Sequence, residues 1–284
     1  MFLVLLVLPA LVTGQVKYYL YTRNNPSSPQ LLQNLDGSKG TKFLIHGFLQ
    51  TAKDVWYDQM KDEYLKKGDF NFIQVDWGSI AFGSYLLIAK NTQNIGRELG
   101  DVIVENNLPL SNVHIIGHSL GSHIAAYASR RISQLLNATV KRISALDPAG
   151  PLFELLPILQ GLRKTDAEIV DVIHADGGFF GMRNPVGTVD FYPNSGQRHQ
   201  PGCTKSMILS QPNYTLEDII FCSHRKSYHY FIESINNRVF KAKECQSWEE
   251  FVRGNCNGAT AVMGDGYEKE PHSIGRFYLS TENN

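Results

Sequence analysis

The sequence predicts an α/β protein in which a mainly parallel sheet is covered on both faces by helices. Three observations carry that expectation. Apolar runs suited to strands alternate with longer helical stretches through the first two thirds of the chain. Runs such as Phe43-Leu44-Ile45 and Ile115-Ile116 are apolar on successive residues, as strands buried on both faces require. And Gly117-His118-Ser119-Leu120-Gly121 sits between one such strand and a stretch carrying Ile124, Ala125, Ala126 and Ala128, a strand-turn-helix arrangement around a serine.

The elements follow in order. Residues 17–22 (KYYLYT) read as a strand and 23–40, opening RNNPSSP, as a loop. Residues 42–46 are an apolar strand, 54–67 a polar helix, 70–77 a strand and 84–106 a long helix. The strand from 113 leads through the glycine-flanked serine into the next helix. Residues 142–146, 168–174 and 188–192 are three further strands, and 225–236 is helical. In such sheets the chemistry lies at the carboxyl ends of the strands, so the residues that end them matter most.

Residues 1–14 (MFLVLLVLPALVTG) are apolar almost throughout but too short to span a bilayer. They read as a secretory signal peptide cut near Gly14, although no basic residue follows Met1. Residues 15–284 are expected to form one soluble, extracellular domain, and 43% hydrophobic content is enough for a sizeable core. Lys plus Arg equals Asp plus Glu, 27 against 27, which argues against a nucleic-acid partner. Four cysteines after a secretion signal allow three pairings; joining neighbours, Cys203 with Cys222 and Cys245 with Cys256, closes two short loops. Without a C-x-x-C a zinc site is not expected. Asn137-Ala138-Thr139 and Asn213-Tyr214-Thr215 are glycosylation sequons.

Three strand ends carry reactive groups. Ser119 occupies the nucleophile position of a strained turn whose flanking glycines leave no room for side chains. After Phe43-Leu44-Ile45-His46, Gly47 lets the next N–H, that of Phe48, turn toward the top of the sheet; with the N–H of Leu120 it would form an oxyanion hole. In Ala145-Leu146-Asp147-Pro148 the proline stops the strand and leaves Asp147 at its tip, where a carboxylate can hold a histidine in its working tautomer. Asp176, after the strand that ends near His174, is a rival acid, and position alone does not separate the two. A base placed after the acid is sought among His174, His199, His224, His229 and His272. His174 lies in a strand and suits a structural role. His224, next to Cys222 and opening a helical stretch, is favoured, while His118 and His123 suit packing or a polar network.

Six motifs in order, G-H-S-L-G-S-H, L-D-P-A-G-P, D-V-I-H-A-D-G, D-F-Y-P-N-S-G, P-G-C and C-S-H-R-K-S, with the closing G-R-F-Y-L-S-T, resemble the pancreatic lipase family, especially its single-domain insect members and phospholipases A1. The resemblance implies an α/β-hydrolase fold with Ser119 as nucleophile, Asp147 rather than Asp176 as acid, His224 as base and oxyanion donors at Phe48 and Leu120. It also makes the loop between Cys203 and Cys222 the family's lid, with Met207, Ile208, Leu209, Leu216, Ile219 and Ile220 as apolar residues among polar ones. Departures from the family pattern add expectations of absence, no C-terminal β-sandwich domain and no colipase; no cofactor is expected either. Where some relatives bind calcium, Asp166 is kept but Ile158 and Arg163 stand at positions needing acids, so no metal site is expected. The lid and the loop between Asp176 and Thr188 are short, which favours bulkier polar head groups. The expected function is a secreted serine ester hydrolase of acyl lipids, with acylglycerols, phospholipids and galactolipids as substrate classes. The alternatives are a phospholipase A1 and, from a different class, a non-catalytic lipid-binding or yolk-type protein.

Overall fold

A computed structural model describes residues 14–32, 35–204, 215–237 and 239–281. The expected signal segment up to residue 13, the sequon residue Asn213 and the expected lid residues Met207, Ile208 and Leu209 lie outside them.

Among the described residues eleven strands form one sheet in the order β10-β9-β11-β8-β7-β6-β5-β3-β4-β1-β2. Its parallel middle comprises β3 (Gly40–Ile45), β4 (Phe70–Asp76), β5 (Val113–His118), β6 (Arg142–Leu146), β7 (Ile169–Ile173), β8 (Val189–Pro193) and β11 (Gly275–Leu279). Antiparallel strands close both flanks: β1 (Lys17–Tyr21) and β2 (Gln30–Leu31) on one, β9 (Phe240–Glu244) and β10 (Thr260–Met263) on the other. The α/β-hydrolase fold expected from the sequence is the one observed.

Successive apolar residues in the central strands serve opposite faces. Phe43, Ile45, Ile73, Val75, Ile115, Ile143 and Val172 join one core with helices α2 (Tyr85–Glu105) and α3 (Leu120–Leu136). Leu44, Phe72, Ile116, Leu146 and Ile173 join the other with α1 (Val55–Lys67) and α4 (Leu216–Asn236). The period of two therefore divides each strand between two helical layers. Helix α2 shows the complementary period: Ile88, Thr92, Ile95, Leu99 and Ile103 are buried at spacings of three and four.

Three segments differ from the sequence expectation. The loop at 23–40 contains the two-residue β2. Helix α4 begins at Leu216 instead of 225, because Thr215 and Asp218 form a reciprocal capping box that starts it earlier. The second half of the supposed lid loop is thus helix, and His224 sits two turns inside it. Strands β9, β10 and β11 and the short α5 (Trp248–Val252) went unread. Their runs are brief, and β9 (Phe-Lys-Ala-Lys-Glu) buries Phe240 and Ala242 while its lysines face outward. The cysteines pair as neighbours: Cys203–Cys222 (Cα–Cα 5.5 Å) anchors α4, and Cys245–Cys256 (5.2 Å) closes the segment after β9.

Candidate active site

Strand β5 delivers Ser119 to the carboxyl end of the sheet, between β3 and β6. Its backbone takes φ 57°, ψ −121°, a strained conformation for a residue with a side chain. The strain is held by the surroundings: the Ser119 N–H donates to Leu146 O at 3.1 Å, and α3 begins at the next residue. Both flanking glycines are required sterically. A Cβ at Gly117 would lie 2.4 Å from the Gly121 carbonyl carbon, and one at Gly121 would lie 2.3 Å from Ile45 O.

One strand over, β6 ends at Asp147, which is fully buried and also has positive φ, 49°. Its Oδ1 accepts the N–H groups of Ala175 (2.7 Å) and Asp176 (3.1 Å), and its Oδ2 accepts Nδ1–H of His224 at 2.5 Å. The acid is held by backbone and turned to one histidine. His224 comes from α4, and its ring lies 4.6 Å from that of His118 and 5.8 Å from that of Phe180. Ser119 and His224 line the same cavity, of about 280 Å³. No hydrogen bond joins their side chains among the described residues.

The supposed oxyanion loop is braced on both sides. Gly47 N–H donates to Gln50 Oε1 (2.9 Å) and Leu49 N–H to Ala81 O (3.0 Å), while the N–H of Phe48 between them has no protein acceptor among the described residues. Leu120, the first residue of α3, has no acceptor one turn back within its helix. Gln50 carries a second contact, to His118 Nδ1 at 2.9 Å, and Nε2 of that buried ring has no hydrogen-bond partner among the described residues. Burial, and then the neighbouring His224, hold His118 far below the usual imidazole range. Sequence reasoning missed Gln50, Tyr85 and Arg225, all of which line the cavity. Only Arg225, beside His224, could have been found from its position in the chain.

The other candidates sit in different surroundings. His174 stacks on Tyr192 at 4.4 Å and bonds Asp190 (2.9 Å) and Met182 O (2.8 Å). His123 is bonded to Ala149 O and receives Leu162 N–H, and burial lowers it to about 4. Asp176 is buried, with Oδ1 on Arg198 Nε (3.1 Å) and Oδ2 unpartnered among the described residues. Desolvation, then the charge of Asp147, raise it to about 6. Asp166, in the segment considered for calcium, is gripped by both prongs of Arg130 at 2.7 Å. A larger groove, about 1250 Å³, lies at the opposite, amino end of β7, β8 and β11, between residues such as Lys164, Glu250 and Arg276 and away from the serine.

A family model described as "Lipase" matches residues 10–284. Pancreatic triacylglycerol lipase of Myocastor coypus is 34% identical over 302 residues, covering 95% of this chain and 65% of that protein. Pancreatic lipase-related protein 2 of Bos taurus is 35% identical over 298 residues, covering 93% of this chain and 62% of that protein. The chain therefore spans less than two thirds of the length of these relatives. Among solved structures, an esterase from Rhodococcus sp. aligns with a TM-score of 0.33 at 15% identity, over 47% of this chain and 42% of the esterase. A hydrolase from Thermoplasma acidophilum aligns with 0.36 at 16%, over 56% and 72%.

Proposed function

The chain belongs to the lipase family, and on that footing we propose that it is a secreted serine hydrolase of fatty-acyl esters working through Ser119, His224 and Asp147. The observation that carries the reading is the Asp147–His224 hydrogen bond beside a strained serine elbow, in a cavity walled by Phe48, Phe180 and Phe221. Asp147 keeps the proton on Nδ1, so Nε2 of His224 is free to accept the Ser119 proton as Oγ attacks the ester carbonyl. The oxygen that becomes negative is met by the N–H groups of Phe48 and Leu120. His224 then gives its proton to the leaving alcohol oxygen, and an acyl-enzyme remains. Water, deprotonated by the same histidine, releases the fatty acid and restores the serine.

The Myocastor coypus relative is named for triacylglycerol, and acylglycerols are one substrate class within this proposal, beside phospholipids and galactolipids. Export is supported by the apolar leader and the two disulfides. Glycans at Asn137 and Asn213 belong to the same proposal, and Asn137 is exposed at the end of α3.

Replacing Ser119 by Ala should lower kcat on a soluble p-nitrophenyl ester by roughly a millionfold with the circular dichroism unchanged. An organophosphate should label the parent protein at Ser119 and leave the variant unlabelled. A folded parent protein that neither hydrolyses esters nor takes the label would instead be a lipid-binding protein.

A further inference from the structure

Among the described residues lining the cavity there is one fixed cation, Arg225, and one carboxylate, Glu217; every other lining residue is uncharged or histidine. Arg225 follows the proposed base directly in α4, and its side chain is 25% exposed. Its Nη2 donates to Glu217 and its Nη1 to Asp218, both at 2.9 Å, yet these acids are themselves 59% and 44% exposed. Pairs so exposed contribute little to stability. A guanidinium has five N–H donors, and these two bonds leave the others for a further acceptor.

The chemistry tells which substrate portion meets this group. A triad histidine returns its proton to the leaving alcohol oxygen, so the leaving alcohol stands on the His224 side of the site. In a glycerol ester that alcohol carries the third substituent, and Arg225, the residue directly after His224, is the one fixed cation among the described residues lining the cavity it enters. An uncharged acyl ester there makes no use of a guanidinium and would desolvate it without return. A phosphodiester does use it, because its oxygens match the planar fork. We propose that Arg225 is a specificity-determining residue that receives the phosphodiester of a glycerophospholipid, making phospholipid the preferred substrate class. A phosphodiester arriving there shares the guanidinium with Glu217, whose carboxylate is then open to the cationic end of a zwitterionic head group.

This inference rests on the proposed hydrolase reading, and the experiment separates the two. Phosphatidylcholine and diacylglycerol with the same acyl chains are offered in the same detergent micelles at equal surface concentration. The ratio of kcat/KM, phospholipid over diacylglycerol, is measured for the parent protein, Arg225→Gln and Arg225→Lys. The ratio should fall at least tenfold in Arg225→Gln, mostly through KM, and recover in part in Arg225→Lys. An equal loss on both substrates, an unchanged ratio, or a parent protein active on diacylglycerol alone would overturn the role of Arg225 while leaving the hydrolase intact. Absence of hydrolysis on either lipid and on the soluble ester would overturn the hydrolase reading itself.

Discussion

Two carboxylates stand at the ends of neighbouring parallel strands, Asp147 after β6 and Asp176 after β7, and their surroundings are opposite. Asp147 is fully buried but accepts two backbone N–H groups and a histidine, so its charge has partners. Asp176 is as buried, but it has a single bond, to Arg198, and an oxygen with no partner among the described residues. Burial is common to both, and hydrogen bonding separates them. The N–H of Asp176 is itself spent on Asp147, so the second acid helps to hold the first. A site that looks from sequence like two equivalent acids is one oriented carboxylate and one poorly solvated neighbour.

That contrast can be broken most directly by exchanging each acid for its amide. Asp147→Asn should cost about 10⁴ in kcat, since the histidine loses both its tautomer control and the counter-charge. Asp176→Asn should keep kcat within about tenfold. The reverse ranking, in steady-state kinetics on a soluble ester, would hand the acid's role to Asp176.

A subtler perturbation moves Asp147 without changing it. A Cβ at Gly181 would lie 2.3 Å from Asp147 Oδ1, so Gly181→Ala must displace the carboxylate. The expected loss is about a hundredfold in kcat, the order seen for displacements of about an ångström. Full activity in this variant would mean that the acid's placement is not limiting.

The smallest effect is on stability. The folded-state pKa of Asp176, about 6, lies above its usual 3.8, so ionising it in the fold is unfavourable. That cost is absent below about pH 4, accrues as pH rises toward 6 and is complete above it. Asp176→Asn should therefore gain on the parent protein between pH 4 and pH 7, by an amount on the order of 1–3 kcal/mol reduced by the lost Arg198 pair. Urea unfolding at the two pH values measures the difference, and a flat difference would put Asp176 among ordinary carboxylates.

Much of this was legible in the chain. The elbow is local: two glycines, a serine, an apolar strand and a small-residue helix are adjacent in sequence, and each constraint acts within a few residues. The central strands were equally plain because a strand buried on both faces must be apolar at successive positions. Helix α4 was read short because its start depends on a capping box, Thr215 with Asp218, inside a loop closed by a disulfide. The terminal strands were missed because β9 and β10 are short, and β11 pairs in parallel with β8 from far along the chain. Such pairings leave little trace in a local pattern.

By itself the sequence determined the strand-to-helix elbow at Ser119, the alternation of strands and helices and the adjacency of cysteine partners, since these follow from local sterics, residue periodicity and short loop closure. By residue position it left Asp147 and Asp176 level, and only motif resemblance favoured one of them. Their physical difference was decided by the tertiary structure, because an acid's role depends on which N–H groups and which imidazole reach its oxygens, and His224 arrives from a helix far along the chain. The same holds for Gln50, unremarkable in the chain, which joins the cavity only when the loop after β3 and helix α4 both line the space beside the serine.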